Sequence, residues 1–426
     1  GYRMRMDSRT SAATRVEVVT EGILTRLLQD DPELSGIAAV IFDEFHERSL
    51  NADLGLALCL EVQGALRPDL RLLVMSATLD GEAVARLLGG APLVTSEGRA
   101  YPVETRHLDK EPRGRFAETV VSGVLRALDE EDGDLLVFLP GEAEIRRVEA
   151  ALADDPRCRD VRLAPLYGNL PQDQQDLALR PGAQRRVVLA TAIAETSLTI
   201  EGVRVVVDGG QMRVPRFDPG SGMTRLVTLA VSRASADQRR GRAGRLGPGV
   251  CYRLWTEPTQ RTLPAQTPPE MLQADLAPLA LDLAQWGIGD VLDLAWIDPP
   301  PPAAYAQATG LLQRLGALDG MGQITAHGRD MAGLPMHPRL AHMILRAWAI
   351  GFGGLACDLA ALLSDRDVLR LGPGERDADM RLRVEAMRGQ TRGLSVDRAA
   401  LARAREQARQ FRRQLRVGDA ANDLEQ

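Results

Sequence analysis

Two adjacent carboxylates, Asp43 and Glu44, stand directly after an apolar run in the segment VIFDEFHERS, and His46 follows two residues later. At the end of a strand, such a pair suits divalent-metal chemistry. Asp43 can hold Mg²⁺ through its water shell, while Glu44 orients or deprotonates an attacking water. The pair alone is weak evidence, because acidic pairs after strands more often cap a helix or lie in its first turn.

A second chemical pattern is the segment QRRGRAGR at residues 238–245, in which Arg239, Arg242 and Arg245 recur every three residues. On a helix these side chains would share one face. The planar, charged guanidinium suits a phosphoryl group in transfer. The alternative is a solvated basic helix. Gly241 and Gly244 argue against it, because glycines weaken an exposed helix and allow close approach of a ligand or backbone.

Composition limits what the phosphate site can be. The 426 residues are 45 % apolar and carry a net charge of −6, which fits two to four globular domains and does not by itself exclude a nucleic-acid partner. The one lysine, Lys110, lies in HLDKEPRG. A P-loop, GxxxxGK[ST], needs a lysine flanked by glycines and Ser or Thr. These 426 residues therefore contain no P-loop.

The remaining composition favours a plain intracellular globular protein. The four cysteines lie far apart in the sequence, which predicts small buried hydrophobes rather than a zinc site or disulfides: Cys59, Cys158, Cys251 and Cys357. No window approaches the ~20 apolar residues of a membrane helix, and the first residues do not resemble a secretory signal. We predict a cytoplasmic protein.

Five short β-branched runs alternate with helical segments. They are AAVIF (38–42), LRLLVMSAT (70–78), LLVFLP (135–140), RRVVLATAI (185–193) and VRVVVDGG (203–210). Continuous apolar strands alternating with helices indicate parallel sheets covered on both faces, an α/β architecture. Chemistry gathers at the carboxyl ends of such strands, where the polar segments fall. The charged segment 107–118 is predicted to link two such sheets.

After Trp255 the pattern changes to a Pro- and Thr-rich stretch followed by helices and a short GQIT strand, which suggests a winged-helix-like module. From Pro338 onward the pattern is helical and rich in arginine.

The ordered motifs resemble those of superfamily 2 DEAH/RHA helicases, most closely the bacterial HrpB type, because DEFH replaces DEAH. The motifs are TEGIL (20–24), DEFH (43–46), SAT (76–78), LVFLPGEAEI (136–145), LYGNLP (166–171), ATAIAETSLTI (190–200) and QRRGRAGR (238–245). The resemblance implies two RecA-like parallel-sheet domains, the first incomplete, then a winged-helix-like module and a helical bundle. The implied bounds are 1–108, 109–256, 257–337 and 338–426.

The resemblance also implies a role for each motif residue in a site that uses ATP and Mg²⁺. Asp43, holding Mg²⁺ through water, and Glu44 would be the metal and water-activating carboxylates. His46 would connect them to SAT, where Ser76 and Thr78 link hydrolysis to strand movement. From the second sheet, residues facing the γ-phosphate would be Gln238, Arg242 and Arg245, with Arg239 solvated.

The same resemblance places single-stranded or duplex nucleic acid, RNA in preference to DNA, against both domains. The segment DGGQMRVPRFDPGSGMTRLVTL would form a β-hairpin that separates strands, and its Gly-rich tip is independent evidence for a hairpin. Contacts to the sugar-phosphate backbone need not read sequence. The residues implied in them are Thr20, Gly22, Gly168, Thr191 and Thr196.

Two departures from the family pattern stand out. Ala192 occupies the position of an asparagine that contacts nucleic acid, and losing one such hydrogen bond should weaken binding by about 1 kcal/mol. The P-loop is the larger departure, and we expect the chain to be a fragment of a longer helicase with little activity alone. A non-catalytic nucleic-acid-binding scaffold is the alternative. A metal-dependent hydrolase built on Asp43, Glu44 and His46 would need a second ligand cluster.

Overall fold

A computed structural model of the chain describes residues 1–4, 7–77, 81–96, 101–196, 198, 200–370, 372, 375, 377–391 and 393–416. These residues form two compact units. The first comprises Gly1–Ala274 and Ala295–Asp298, and the second comprises Asp275–Leu294 and Pro299–Gln426.

The first unit begins with a small three-stranded sheet and a two-stranded parallel sheet flanked by helices. The strands are β1 (Tyr2–Arg3), β2 (Ser8–Arg9), β3 (Val18–Val19), β4 (Ala39–Phe42) and β5 (Arg71–Val74), and the helices are α1 (Glu21–Asp30), α2 (Leu50–Ala65) and α3 (Gly81–Leu87). β4 and β5 pair in parallel, Val40 opposite Leu72. Helix α2 begins where the Ser49 hydroxyl accepts the Ala52 amide, an N-cap.

The rest of this unit is built on a six-stranded parallel sheet in the order β6-β13-β10-β7-β9-β8, with a separate hairpin β11-β12. The strands are β6 (Val103–His107), β7 (Asp134–Phe138), β8 (Val161–Leu166), β9 (Arg185–Ala190), β10 (Val203–Asp208), β11 (Gln211–Asp218), β12 (Met223–Ala230) and β13 (Gly249–Arg253). The helices are α4 (Phe116–Glu130), α5 (Glu142–Ala153), α6 (Gln172–Leu179), α7 (Arg233–Gly241) and α8 (Glu257–Thr262).

Both faces of the six-stranded sheet are covered because its strands are apolar on both sides. In β7, Leu135 and Val137 belong to one buried cluster, while Leu136 and Phe138 belong to the cluster on the opposite face. Alternate side chains of a strand point to opposite faces, so a continuous apolar run is buried twice. The predicted α/β class with a RecA-like parallel sheet is confirmed.

The segment 107–118, predicted to link the two sheets, overlaps elements of the second sheet. β6 ends at His107 and pairs in parallel with β13, and α4 begins at Phe116. The second sheet therefore begins before this segment, at Val103. Its first strand reads VETRH and lies at the edge of the sheet, and its polar residues conceal it in the sequence. The four-part domain division stays a prediction.

The second unit is helical. Its helices are α9 (Ala277–Trp286), α10 (Pro302–Arg314), α11 (Ala326–Ala332), α12 (Pro338–Ala349), α13 (Gly353–Ser364), α14 (Met380–Met387) and α15 (Arg398–Leu415). Where a short GQIT strand was predicted, a single antiparallel bridge joins Leu318 and Ile324. Helices α12 to α15 share one buried cluster that includes Ile344, Cys357 and Phe411. Within the described residues, none of the helices combines the length and apolarity needed to cross a bilayer.

Candidate active site

The loop after β4 carries the two predicted carboxylates. The Phe45 amide donates to the Met75 carbonyl at 3.0 Å, and the Met75 amide donates to the Phe42 carbonyl at 2.8 Å, which ties this loop to the end of β5. Glu44 lies in the left-handed region at φ +48°, a strained conformation for a residue with a β-carbon. Asp43 Oδ1 accepts the Glu44 amide at 2.8 Å. Backbone geometry thus holds both carboxylates at the carboxyl end of β4.

Arg48 fixes the far end of the same loop, a role that the sequence did not indicate. Its side chain is almost buried and donates to both carboxylate oxygens of Asp53 at 3.0 Å, and a further ion pair reaches Asp298 at 2.8 Å. Its carbonyl accepts the Glu270 amide at 3.1 Å, and the Glu270 carboxylate accepts the Leu50 amide at 2.8 Å. Segments distant in sequence therefore hold the loop that bears Asp43 and Glu44.

His46 joins three of the predicted motifs. Its Nδ1 accepts the Ala77 amide at 3.3 Å and lies 3.5 Å from Glu44 Oε2. Its Nε2 lies 2.6 Å from the side-chain amide nitrogen of Gln238 on α7. The structure thus brings His46, Glu44 and Gln238 together, although the sequence did not predict the contact between His46 and Gln238, and their catalytic roles stay predictions.

The predicted coupling residues are only partly described. Ser76 is exposed between Met75 and Ala77. Thr78 lies outside the described residues. The contact from His46 to this segment reaches the Ala77 backbone, so the coupling role of Ser76 and Thr78 stays a prediction.

The arginine segment does not continue as one helix. α7 ends at Gly241 and a 3₁₀ turn covers Arg242–Gly244, so the three arginines do not share one helical face. A β-carbon on Gly244 would lie 2.7 Å from the Tyr101 carbonyl oxygen, which confirms the predicted close backbone approach there. At Gly241 the space is open.

Arg242 is buried and donates to the backbone carbonyls of Glu195, Thr196 and Leu198. Burial, followed by repulsion from the exposed Arg245, lowers the pKa of Arg242 to about 10, and Glu44 lies close enough to offset part of this. A buried cation with a second cation beside it favours an anion nearby.

The prediction that Arg239 is solvated is wrong. Only 1 % of Arg239 is exposed, and it donates to Glu195 Oε2 and Asp208 Oδ1, both at 2.9 Å. The Ser235 hydroxyl donates to the other oxygen of Glu195 at 2.5 Å. Two buried carboxylates neutralise the guanidinium, so it lies inside the fold and not on a basic surface.

Four of the predicted nucleic-acid residues lie at exposed or half-buried turns. Thr20 precedes α1 without using its side chain as a cap, and Gly22 lies exposed in the first turn. Gly168 is exposed after β8, and Thr191 precedes the 3₁₀ turn that begins at Ala192. Within the described ranges, no hydrogen bond joins Thr20, Gly22 or Gly168 to the His46 contacts.

Thr196 behaves differently, because its hydroxyl donates to Glu47 Oε1 at 2.6 Å. This contact joins the loop after β9 to the loop after β4. A cavity of about 410 Å³ lies beside it, lined by residues of both loops and of α7, including His46, Ser235 and Gln238.

The donor set fits Mg²⁺ bound largely through water and nucleotide phosphates. Among the described residues, no group of three or more His, Cys, Asp or Glu side chains could hold a metal ion alone. Mg²⁺ commonly takes one or two carboxylates and completes its shell with water and phosphate oxygens. The exposed Asp43 and the half-buried Glu44 supply that minimum.

Comparisons with known proteins show the family to which the chain belongs. Residues 118–247 match the family described as helicase conserved C-terminal domain. The chain is 51 % identical to the ATP-dependent RNA helicase HrpB of Escherichia coli (strain K12) over 367 residues, covering 86 % of the chain and 45 % of that protein. It is 36 % identical to the probable ATP-dependent RNA helicase DHR2 of Saccharomyces cerevisiae, covering 88 % of the chain and 53 % of that protein.

A crystal structure of the Escherichia coli DEAH/RHA helicase HrpB superposes with a TM-score of 0.86 at 46 % identity, covering 99 % of the chain and 52 % of that structure. The chain thus spans about half the length of these relatives. The motif order, the His46 to Gln238 contact and these matches agree, and the chain belongs to the DEAH/RHA helicase family.

Proposed function

We propose that this protein is an ATP-dependent RNA helicase in which the present chain supplies the carboxylates and arginines of the hydrolytic site. The observation that carries the proposal is the 2.6 Å contact between His46, in the loop after β4, and Gln238, on helix α7. It brings a carboxylate loop and an arginine turn to one place, as hydrolysis between two domains requires.

In the proposed mechanism, Asp43 would hold Mg²⁺ through water and Glu44 would orient the attacking water. ATP and Mg²⁺, when bound, would supply the transferring phosphoryl group and neutralise its charge. Arg242 and Arg245 would then face that charge. The lowered pKa of Arg242, caused first by burial and then by Arg245, supports this role because attraction to an added anion would offset both effects and favour the charged guanidinium.

The strand is proposed to be RNA, because the curated relatives named above are RNA helicases. Contacts to its sugar-phosphate backbone are assigned to a set of residues on both sheets: Thr20, Gly22, Gly168, Thr191 and Thr196. The exposed, uncommitted Thr20 side chain at the start of α1 supports this assignment, because helix starts favour phosphate. Closing of the two sheets on ATP and their opening after hydrolysis would move the strand.

Residues 1–426 hold no GxxxxGK[ST] sequence, so we propose that they hydrolyse ATP poorly by themselves. A P-loop supplies backbone and lysine contacts to the phosphates that nothing in this sequence replaces. A cytoplasmic location stays a prediction.

The test compares RNA-stimulated ATP hydrolysis by the 426-residue chain with that of a longer polypeptide carrying a GxxxxGK[ST] segment ahead of Gly1. We expect activity only in the longer form, and Glu44→Gln should reduce its turnover at least ~100-fold, because the water loses its orienting carboxylate. Strong hydrolysis by the 426-residue chain would contradict the proposal. Inactivity of both forms with RNA binding retained would favour a non-catalytic RNA-binding scaffold.

A further inference from the structure

The hairpin β11-β12 carries two arginines directly opposite each other. Arg216 pairs with Arg225 in the antiparallel register, so both side chains lie on the same face. Both residues are exposed, with 65 % of the Arg225 side chain accessible. Their β-carbons are about 5 Å apart in such a pair, and like charges directly opposite destabilise a hairpin.

Little within the described part of the chain neutralises this pair. Arg216 makes no hydrogen bond or ion pair there, and Arg225 reaches Asp218 only at 4.0 Å. Asp218 is already committed to the hairpin turn, where it accepts the Gly220 amide at 3.0 Å and the Ser221 hydroxyl at 2.7 Å. Among the described residues, one distant carboxylate therefore faces Arg225 and none pairs with Arg216.

An arginine of the same strand shows the contrast. Arg213 lies on the opposite face of β11 and forms an ion pair with Glu144 of α5 at 3.1 Å. Arg213, which faces the domain, therefore has an ion-pair partner, whereas the opposed pair Arg216 and Arg225 faces solvent.

We propose that Arg216 and Arg225 together bind one phosphate group of the RNA backbone. The assignment rests on the proposed function, because it takes RNA as the ligand. A phosphate between the two planar forks accepts hydrogen bonds from both and replaces their repulsion by attraction. Such a contact fixes the hairpin on the strand without reading sequence.

The test measures RNA binding by the 426-residue chain. The signal is the fluorescence anisotropy of a labelled single-stranded RNA, recorded over a series of salt concentrations. We expect Arg216→Gln and Arg225→Gln each to weaken binding about fivefold. Each phosphate contact contributes about 0.7 to the slope of log affinity against log salt. Because one phosphate is shared, the double variant should lose about 0.7 and not 1.4 from this slope.

Two further variants test whether binding depends on the planar guanidinium at this site or only on the positive charge of the protein surface. Arg225→Lys keeps the charge but loses the fork, so it should weaken binding nearly as much as glutamine. Arg261→Gln on α8, where 80 % of the side chain is exposed, should leave affinity unchanged.

Several outcomes would overturn the assignment. Additive losses in the double variant, with a slope change of about 1.4, would mean separate phosphates. Affinity unchanged by the hairpin variants would remove the site while leaving the proposed function intact. Failure of the unsubstituted chain to bind RNA would instead overturn both.

Discussion

The two parallel sheets of the first unit differ in how they are covered. Strands at the centre of the six-stranded sheet are closed on both faces, and Leu189 and Val206 are fully buried. On the two-stranded sheet, Ile41 and Leu73 remain 56 % and 51 % exposed. Parallel sheets are normally covered on both faces. The arginine side of the candidate site therefore rests on a sheet packed on both faces, whereas on the carboxylate side the described residues cover one face of the sheet.

Arg67 illustrates the polar support. Its guanidinium donates to the carbonyls of Glu33, Leu34 and Ile37, and it also pairs with Asp69 at 2.8 Å. The chain entering β4 is thereby tied to the chain entering β5, while at the opposite end Arg48 anchors the loop after β4 to Asp53 and Asp298. Two arginines thus support the two ends of a sheet of which the described residues leave one face exposed.

The largest expected effect comes from removing the buried arginine on each side. Arg239→Met leaves Glu195 and Asp208 buried without a counter-charge and should cost about 3–5 kcal/mol in the free energy of unfolding. Arg48→Met should cost less, because it leaves one buried carboxylate, Asp53, without its partner, whereas Asp298 is 41 % exposed and can be hydrated. Urea denaturation of both variants measures the difference.

The control for these two variants removes the buried carboxylates that Arg239→Met leaves without a counter-charge. Adding Asp208→Asn and Glu195→Gln to Arg239→Met should recover part of the loss, because the buried charges are gone. An Arg48→Met variant as unstable as Arg239→Met would contradict the contrast between the two sides.

A matched leucine truncation tests the coverage of the sheets directly. Leu189→Ala in β9 should reduce the free energy of unfolding by about 2–5 kcal/mol, because it leaves a cavity in a closed core. Leu73→Ala in β5 should cost under about 1 kcal/mol, because half of that side chain is already in water. Guanidinium denaturation serves for both. Equal losses would mean that Leu73 is covered in solution.

The smallest expected effect is a pH dependence shared by two local ion pairs. The hydrogen bonds from Arg67 and from Arg157 lower the pKa of Asp69 and of Asp155, each to about 2. Because the folded-state pKa lies below the ordinary value of 3.8, each pair stabilises the fold above about pH 4 and loses that contribution as the pH falls toward 2.

Asp69→Asn and Asp155→Asn should therefore flatten the acid loss of stability by similar small amounts, measured as denaturation midpoints at pH 6 and pH 3 (about one unit below the ordinary value). At pH 6, Asp69→Asn should lower the midpoint more, because Arg67 also holds the three carbonyls ahead of β4. If Asp155→Asn lowered the denaturation midpoint at pH 6 more than Asp69→Asn, the six-stranded side would depend more on its local ion pair than the two-stranded side does.

The central strands could be predicted from sequence because their apolar runs are continuous. The predicted run RRVVLATAI contains β9, and VRVVVDGG contains β10. The strands β6, β8 and β13 were missed. β6 reads VETRH, an edge strand whose polar residues hide the pattern, and its place in the sheet depends on pairing with β13, where Val103 lies opposite Gly249, 146 residues later.

The motifs named residues of the candidate site, but not the contacts that residues distant in sequence make there. His46 and Gln238 were each assigned to the site, whereas the contact between them was not predicted. The burial of Arg239 does not follow from its local spacing, because its partners Glu195 and Asp208 lie 44 and 31 residues away. Nothing around Arg48 in the sequence indicates Asp298, which arrives from beyond the second sheet.

The hydrogen bond from Thr196 to Glu47 has a consequence for timing. A hydroxyl carries one proton, so Thr196 cannot donate to Glu47 and to a phosphate of RNA at the same moment. Under the proposed roles, an arriving RNA strand must compete with Glu47 for the Thr196 hydroxyl. When the RNA binds, Glu47, the residue after His46, loses this hydrogen bond. RNA binding would then change the hydrogen bonding of Glu47, close in sequence to Asp43 and Glu44, because the Thr196 hydroxyl moves its one hydrogen bond from Glu47 to the RNA.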